Sequence, residues 1–520
     1  MRRHPVRNGI LAALTAGLLG LTVAVLAGFG SPPAGAQPTT QTVSASVGSA
    51  PSGAPLPSGF LGLSLEYSGL HAYTGNNPKA VNPVLTQLIR GLSPGQAPVL
   101  RIGGESTDST WWPVRGMKRP RGINYTLTNG WLRTTKALAS TLGAKLIMGV
   151  NLAGGSPAVA VAEAHALFGG IGKRFIQALE IGNEPDVYGQ FTWYVHKGKA
   201  YYARAHNYGL NEFISQFSQW RAALRQTTPV TGPAFAELNW LSGLGTFISA
   251  QPGLKLLTIH RYPLHGCLND PSTPGYPSIA NLLNDQASGG IAQEVAPYVT
   301  EAHNGGLQFR VDEMNSAAVA SCLGRRGVSG TFASALWVLD TLFNLQSVGV
   351  DGVNIHSLPR AAYELFTFKH SSSRWQAFVH PEYYGMLLFA QAFPPGAQLL
   401  PVNVSPSGPL KVWATGGPGF PTRVVVINKD PNNPYQVQLQ AAGMTGPAQI
   451  ERLEAPSASA RSGVTLGGQT FGNETRTGKL AAPRTQPIVP VLGTYTITVP
   501  AASAAMLSPA VGSGGVAGQS

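Results

Sequence analysis

The stretch Ala178-Leu-Glu-Ile-Gly-Asn-Glu-Pro-Asp186 decides how this 520-residue chain is read. It is a short apolar run that ends on polar groups and a chain-breaking proline. Leu179 and Ile181 read as buried strand residues, Gly182 permits a close backbone approach, and Pro185 lacks the donor that strand pairing needs. Asn183 and Glu184 are left at the strand's C-terminal lip. In a parallel α/β barrel that lip is the working face, so a carboxyl group there points to chemistry rather than packing. The plainer reading of Glu184 is a carboxylate at a helix start.

A second run, Gln308-Phe-Arg-Val-Asp-Glu-Met-Asn-Ser316, ends in the same way on Glu313. The 129 residues from Glu184 to Glu313 leave room for about three βα units. Two glutamates at two strand ends can therefore face each other across one barrel mouth. Retention in glycoside hydrolysis requires such a pair: an acid that protonates the leaving oxygen, and a carboxylate roughly 5 Å away that attacks the anomeric carbon.

Outward from these two runs the pattern is βαβα. Apolar strand-like segments fall at 60–65, 99–103, 145–150, 178–182, 229–231, 254–259, 308–311 and 352–355, the fifth being the shortest. Segments with helical periodicity lie between them, at 81–92, 131–142, 158–168, 210–225, 279–284 with 291–303, and 331–345. Eight such strands predict a closed (β/α)8 TIM barrel over residues 58–393. After Pro394-Pro395-Gly396 the pattern changes to short alternating runs separated by Gly, Pro and Asn, at 398–402, 410–414, 422–427, 435–440, 449–453 and 495–499. These predict a C-terminal antiparallel β-sandwich over 394–511, followed by a Gly/Ser-rich disordered tail at 512–520.

The Asn183-Glu184-Pro185 strand end, His260-Arg-Tyr262-Pro263, Asp312-Glu313-Met-Asn-Ser316, Ser329-Gly-Thr-Phe-Ala-Ser-Ala-Leu-Trp337 and Val464-Thr-Leu-Gly-Gly-Gln469 together resemble glycoside hydrolase family 79. That family holds β-glucuronidases and heparanase-like enzymes within a larger clan of retaining barrel glycosidases. The resemblance runs from about Phe60 to Pro509. It implies that Glu184 is the acid/base and Glu313 the nucleophile, and that Asn183 bonds the sugar 2-hydroxyl. It further implies that Glu66, Asp108 and His356 contact sugar hydroxyls, that Tyr363 reads a uronic carboxylate, and that residues 37–57 join the C-terminal domain. Tyr262, closing the sixth strand, would stand beside Glu313 and donate its hydroxyl, or else serve as a buried structural tyrosine. One departure is visible: some family members carry a Gly-rich loop after the nucleophile that holds the C6 carboxylate, where this chain has Ala317-Ala-Val-Ala-Ser-Cys322. The expected activity is that of a secreted retaining exo-β-glucuronidase acting on glucuronate-terminated glycans. Its rivals are the same fold and mechanism on an arabinofuranoside, xyloside or glucoside, an endo-β-glucuronidase, and a non-hydrolytic polyanion-binding protein.

The basic start, the apolar run 10–30 and the small residues Ala34-Gly-Ala36 fit a signal peptide over 1–36, cleaved after Ala36, with an uncleaved anchor as the alternative. No later segment is apolar for long enough to cross a bilayer. The formal charge is +13, of which Arg2, Arg3 and Arg7 lie in the leader. A basic exported protein is drawn to polyanions, so the expected partner is an acidic glycan, with no nucleic acid and no membrane after cleavage. Arg115, Lys118, Arg119 and Arg121 follow the second strand, and Arg325 and Arg326 the seventh. The only cysteines, Cys267 and Cys322, follow adjacent strands and read as a disulfide rather than a metal site or reactive thiol. His260 and His265 match no zinc spacing, and hydrolysis by two carboxyl groups needs no metal or other cofactor.

Overall fold

The computed structural model describes residues 40–225, 229–319, 322, 327–371 and 374–510. The expected signal segment, Arg325, Arg326 and the tail lie outside these residues.

Eight parallel strands close into a barrel: β1 Leu61–Glu66, β2 Val99–Gly103, β3 Lys145–Val150, β4 Ile176–Ile181, β5 Val230–Phe235, β6 Leu256–Arg261, β7 Gln308–Met314 and β8 Gly352–Ser357. β8 pairs β1, and β4 pairs β5 to complete the ring. Four of the eight strands are buried along their whole length and the other four at every position but one, as expected where side chains face either the barrel interior or the surrounding helices. Some of the βα connections supply side-chain caps for the helix that follows. Asn82 accepts from the Val84 and Leu85 N–H groups ahead of Pro83–Leu92, and Thr128 accepts from Trp131 N ahead of Asn129–Leu142.

The fifth strand is longer than its sequence suggests. Pro233 interrupts the apolar run, yet the strand continues to Phe235 with a register shift between Pro233 and Phe235. Two antiparallel hairpins are absent from the sequence reading. One, Thr192–His196 with Lys199–Tyr202, follows β4; the other, Phe366–Ser371 with Arg374–Val379, follows β8.

The C-terminal domain is two stacked sheets. The larger runs in the order Gln398–Leu400, Leu410–Gly417, Phe420–Asn428, Ser503–Pro509, Ala448–Glu454 and Thr465–Leu466. The smaller contains Val402–Ser405, Gln41–Val47, Tyr435–Ala441 and Tyr495–Val499. One pairing departs from an all-antiparallel arrangement: Gln41–Val47 runs parallel to Tyr435–Ala441. A separate apolar cluster including Val43, Val426, Val437 and Tyr495 fills the space between the sheets. The other face of the larger sheet, with Val425, Ile427 and Met506, belongs to the same apolar cluster as the barrel helices. There Trp413 stacks on Phe343 at 5.4 Å, and Lys429 meets the equally buried Asp340 at 2.8 Å. The helix Phe332–Ser347 begins on C-terminal-domain carbonyls, with Phe332 N and Ala333 N donating to Ala460 and Ala458.

Cys267 and Cys322 form a disulfide across the loops after β6 and β7. The same loops also pair as short parallel strands, Leu264–His265 with Ala317–Ala318. No helix among the described residues is long and apolar enough to cross a membrane.

Candidate active site

The C-terminal ends of the barrel strands open into a cavity of about 760 Å³, lined by Glu66, Glu184, His260, Tyr262, Glu313, His356 and Tyr363 among others. Glu184 comes off β4 through Gly182 and Asn183. A side chain at position 182, where φ is +81°, would meet Leu152 and the Tyr188 hydroxyl at 2.9 Å, so only glycine fits. Glu184 has a left-handed φ of +52°, a strained conformation for a residue with a side chain, fixed by its N–H donating to Ala234 O at 3.0 Å. It caps no helix with its side chain. Its Oε1 instead meets His260 Nδ1 at 2.8 Å.

Glu313 stands opposite on β7. Tyr262 donates its hydroxyl to Glu313 Oε1 at 2.8 Å, and Arg101 Nη1 donates to Oε2. Burial by itself would raise this carboxyl, but His356, His260 and Arg101 together with the Tyr262 hydroxyl outweigh it and hold Glu313 well below the carboxylate range. His356 is itself pushed down to about 4 by burial and is neutral at neutral pH, so the permanent charge in this set is the Arg101 guanidinium. For His260, burial disfavours the imidazolium, while Glu313 and Glu184 raise it above its ordinary value. One carboxylate oxygen of Glu184, one of Glu313 and a His260 nitrogen all lie within 4.8 Å of one another. Two glutamates far apart in the chain thus share one reaction volume.

The other residues singled out in the sequence divide. Glu66 lines the cavity and accepts from Glu105 N at 3.1 Å and from both Ser106 N and Ser106 Oγ. Burial, then the Glu313 charge, push Glu66 up to about 8 against those donors. His356 bonds Ser64 Oγ through Nδ1 at 2.9 Å and packs edge-on against Tyr363. Tyr363, in turn, stands 6.2 Å from the Tyr262 ring. Asn183 is buried with Oδ1 accepting from Arg101 Nη2 at 2.9 Å, and among the described residues its amide Nδ2 donates to no other group. Asp108 is a correction. Its Oδ1 accepts from Leu152 N and Ala153 N, and its Oδ2 from Asn183 N and the Tyr188 hydroxyl. These four bonds brace the β4 end, and Asp108 does not line the cavity.

Sequence reasoning missed Arg101, Glu180 and Glu105. Arg101 on β2 is wholly buried and donates to Glu180, Glu313, Asn183 and Ser64. The only sequence signal was an arginine inside the apolar run Val99–Gly103. Below it lie Glu180 and Asp312. Burial and the Glu180 charge raise Asp312 far above its usual value, whereas the Arg101 charge overcomes burial at Glu180 and lowers it. Two triads, Glu184–His260–Glu313 and Glu180–His260–Asp312, have donor atoms close enough for a metal ion. Arg101 reaches both, contacting Glu313 Oε2 and Glu180 Oε2, and so supplies the positive charge that an ion would otherwise bring.

Residues 412–506 match the glycosyl hydrolase family 79 C-terminal beta domain. The C-terminal module is a family 79 domain. The resemblance carried by the motifs is met by this match, and a family 79 domain joined to this barrel supports a glycoside hydrolase. No curated protein matches the sequence. Among solved structures, the 4-O-α-L-rhamnosyl-β-D-glucuronidase of Fusarium oxysporum 12S is similar with a TM-score of 0.67 at 18% identity, over 89% of this chain and 100% of that one. The family 51 arabinofuranosidase of Xanthomonas axonopodis pv. citri follows at 0.63 and 14%, over 90% and 99%. The Clostridium thermocellum family 44 endoglucanase Cel44A gives 0.56 and 12%, over 90% and 100%. These likenesses establish the fold, a barrel with an attached β-domain.

Proposed function

We propose that the protein is a retaining exo-β-glucuronidase, exported by its N-terminal segment and acting on glucuronate-terminated glycans. The observation that carries the retaining mechanism is the approach of Glu184 and Glu313 to within 4.8 Å, near the roughly 5 Å of retaining pairs and short of the wider gap that an inverting water requires. In the first step a Glu313 carboxylate oxygen attacks the anomeric carbon as the glycosidic C–O bond breaks, and Glu184 gives its proton to the departing oxygen. In the second, Glu184 takes a proton from water, the water oxygen bonds the anomeric carbon, and the Glu313 ester opens. The unpartnered Asn183 amide is free for the 2-hydroxyl, a contact that strengthens in the oxocarbenium-like transition state.

Glucuronate as the sugar is supported by the family 79 domain and by the likeness to a glucuronidase. Tyr363, beside Tyr262 on the cavity wall, is the residue assigned to the carboxylate. A panel of aryl glycosides tests the sugar, and NMR of the first-formed anomer tests retention. Turnover of the β-glucuronide with β-product is expected, and loss of at least a thousandfold in Glu313→Gln. Turnover of the α-L-arabinofuranoside alone overturns the sugar; inverted product overturns the mechanism.

A further inference from the structure

The hairpin Thr192–His196/Lys199–Tyr202 leaves the barrel just after the proposed acid/base Glu184, and Phe191 at its root lines the catalytic cavity while more than half exposed. Across the hairpin, Tyr194 pairs with Tyr201 and their rings stack at 4.8 Å, 3° from parallel, with Lys199 Nζ over the Tyr201 ring. Val195 and Tyr202 are exposed. Trp193 anchors the hairpin on the loop after β2. It packs with Met117 against Trp111, Ile123 and Val159, and its ring lies 2.8 Å from where a Cβ on Gly122 would stand. That loop carries exposed Arg115, Lys118, Arg119 and Arg121, and the hairpin tip adds exposed Lys197 and Lys199. Neither segment 109–124 nor segment 188–211 contains an aspartate or glutamate.

The acid/base protonates the leaving group, so the surface beyond Glu184 faces the aglycone. Flat aromatic rings there suit the apolar faces of pyranose rings, and an acid-free set of six cations suits carboxylates or sulfates along a chain. We infer that the aromatic hairpin and the basic loop packed against it form a leaving-group-side binding surface for an acidic polysaccharide. The orientation rests on the proposed hydrolase reading; the binding surface stands without it.

The test measures binding of the full chain to polygalacturonate and heparin, with neutral galactan as control, at two or more salt concentrations. The quadruple variant Lys118→Ser/Arg119→Ser/Lys197→Ser/Lys199→Ser is compared with a charge-matched one on other exposed positions, Arg133→Ser/Lys136→Ser/Lys479→Ser/Arg484→Ser. At least a tenfold rise in Kd with a flatter salt dependence is expected for the first and less than threefold for the second. Tyr194→Ser/Tyr201→Ser should weaken binding at least threefold with the salt dependence unchanged. Equal losses in the two charge variants, galactan bound as well as the polyanions, or no polyanion binding by the unaltered protein would each overturn the proposal. Site-specific loss of binding in a chain that cleaves no aryl glycoside would retain the surface and reject the hydrolase reading.

Discussion

Replacing Glu66 by glutamine separates a carboxyl that the fold keeps neutral from one that it keeps ionised. The buried Glu66 carboxyl titrates at about 8 in the folded chain against 4.5 in the unfolded one. Below pH 4.5 both states are protonated and the group contributes nothing. As pH rises through 4.5 the unfolded chain releases its proton first, so stability falls by about 1.4 kcal/mol per unit until the folded group also ionises near 8. The full withdrawal is about 5 kcal/mol, and a glutamine escapes it because it does not titrate. The replacement has its own cost. Ser106 donates twice to Oε2, so the new amide nitrogen must face Glu105 N on the Oε1 side, forfeiting one bond at about 1–3 kcal/mol. Glu66→Gln should therefore be the less stable protein at pH 4.5 and the more stable at pH 8, with the sign changing between. Urea unfolding of both proteins from pH 4 to 8.5 reads the difference directly. A difference that stays constant over that range would mean that the Ser106 and Glu105 donors hold Glu66 ionised in the native state, and the argument from burial would fail.

Tyr262→Phe removes the hydroxyl bond to Glu313 Oε1, one of the groups that hold this carboxyl low. Because a depressed carboxyl is ionised above its pKa, the acid limb of the kcat/KM profile should move to higher pH, with kcat down about tenfold. Lys429→Met leaves Asp340 buried without its cation and should cost about 3–5 kcal/mol by thermal unfolding, most of it recovered in the double variant with Asp340→Asn. Gly104 has a φ of +74°, and a Cβ there would stand 2.2 Å from Glu66 Oε1. Gly104→Ala should therefore lose about 1–2 kcal/mol from the left-handed backbone alone and lower kcat by displacing the Glu66 carboxyl. Reduction of the Cys267–Cys322 bond releases a 55-residue loop, worth about 4 kcal/mol in chain entropy, and should lower the thermal midpoint.

The barrel was legible because its strands are buried along their length and so appear as unbroken apolar runs at βα spacing. Where a strand broke that rule, as at Pro233, its length was underestimated. The hairpin after β4 was missed for another reason. Phe191-Thr-Trp-Tyr-Val-His196 is rich in β-forming residues, but it lies inside one βα unit, between β4 and the helix Leu210–Leu224, and its hairpin pairs only with itself. Ser503–Pro509 holds the centre of the larger sheet with an alanine- and serine-rich sequence of little strand character, and only its neighbours on both sides explain it.

Within the site, the division between legible and illegible follows depth. Glu184, Glu313 and Tyr262 sit at strand ends, where the change from apolar to polar residues marks the lip of the barrel. Asp108 lies further past the end of its strand, where the left-handed turn at Gly104 hands the loop's N–H groups at Glu105 and Ser106 to Glu66 and the Asp108 carboxylate accepts from the backbone of Leu152. Arg101, Glu180 and Asp312 lie further in; Arg101 and Glu180 are each the one charged residue of a mostly apolar strand, and Asp312 shares β7 with Arg310 and Glu313. Their identities mean nothing separately; one guanidinium among three carboxyl groups is read only when the barrel closes and brings β2, β4 and β7 to a common axis. The groups assigned to bond changes in the proposed reaction stand at the rim. The Arg101 charge that helps hold Glu313 ionised stands below it, where water is excluded and one charge acts strongly on the next.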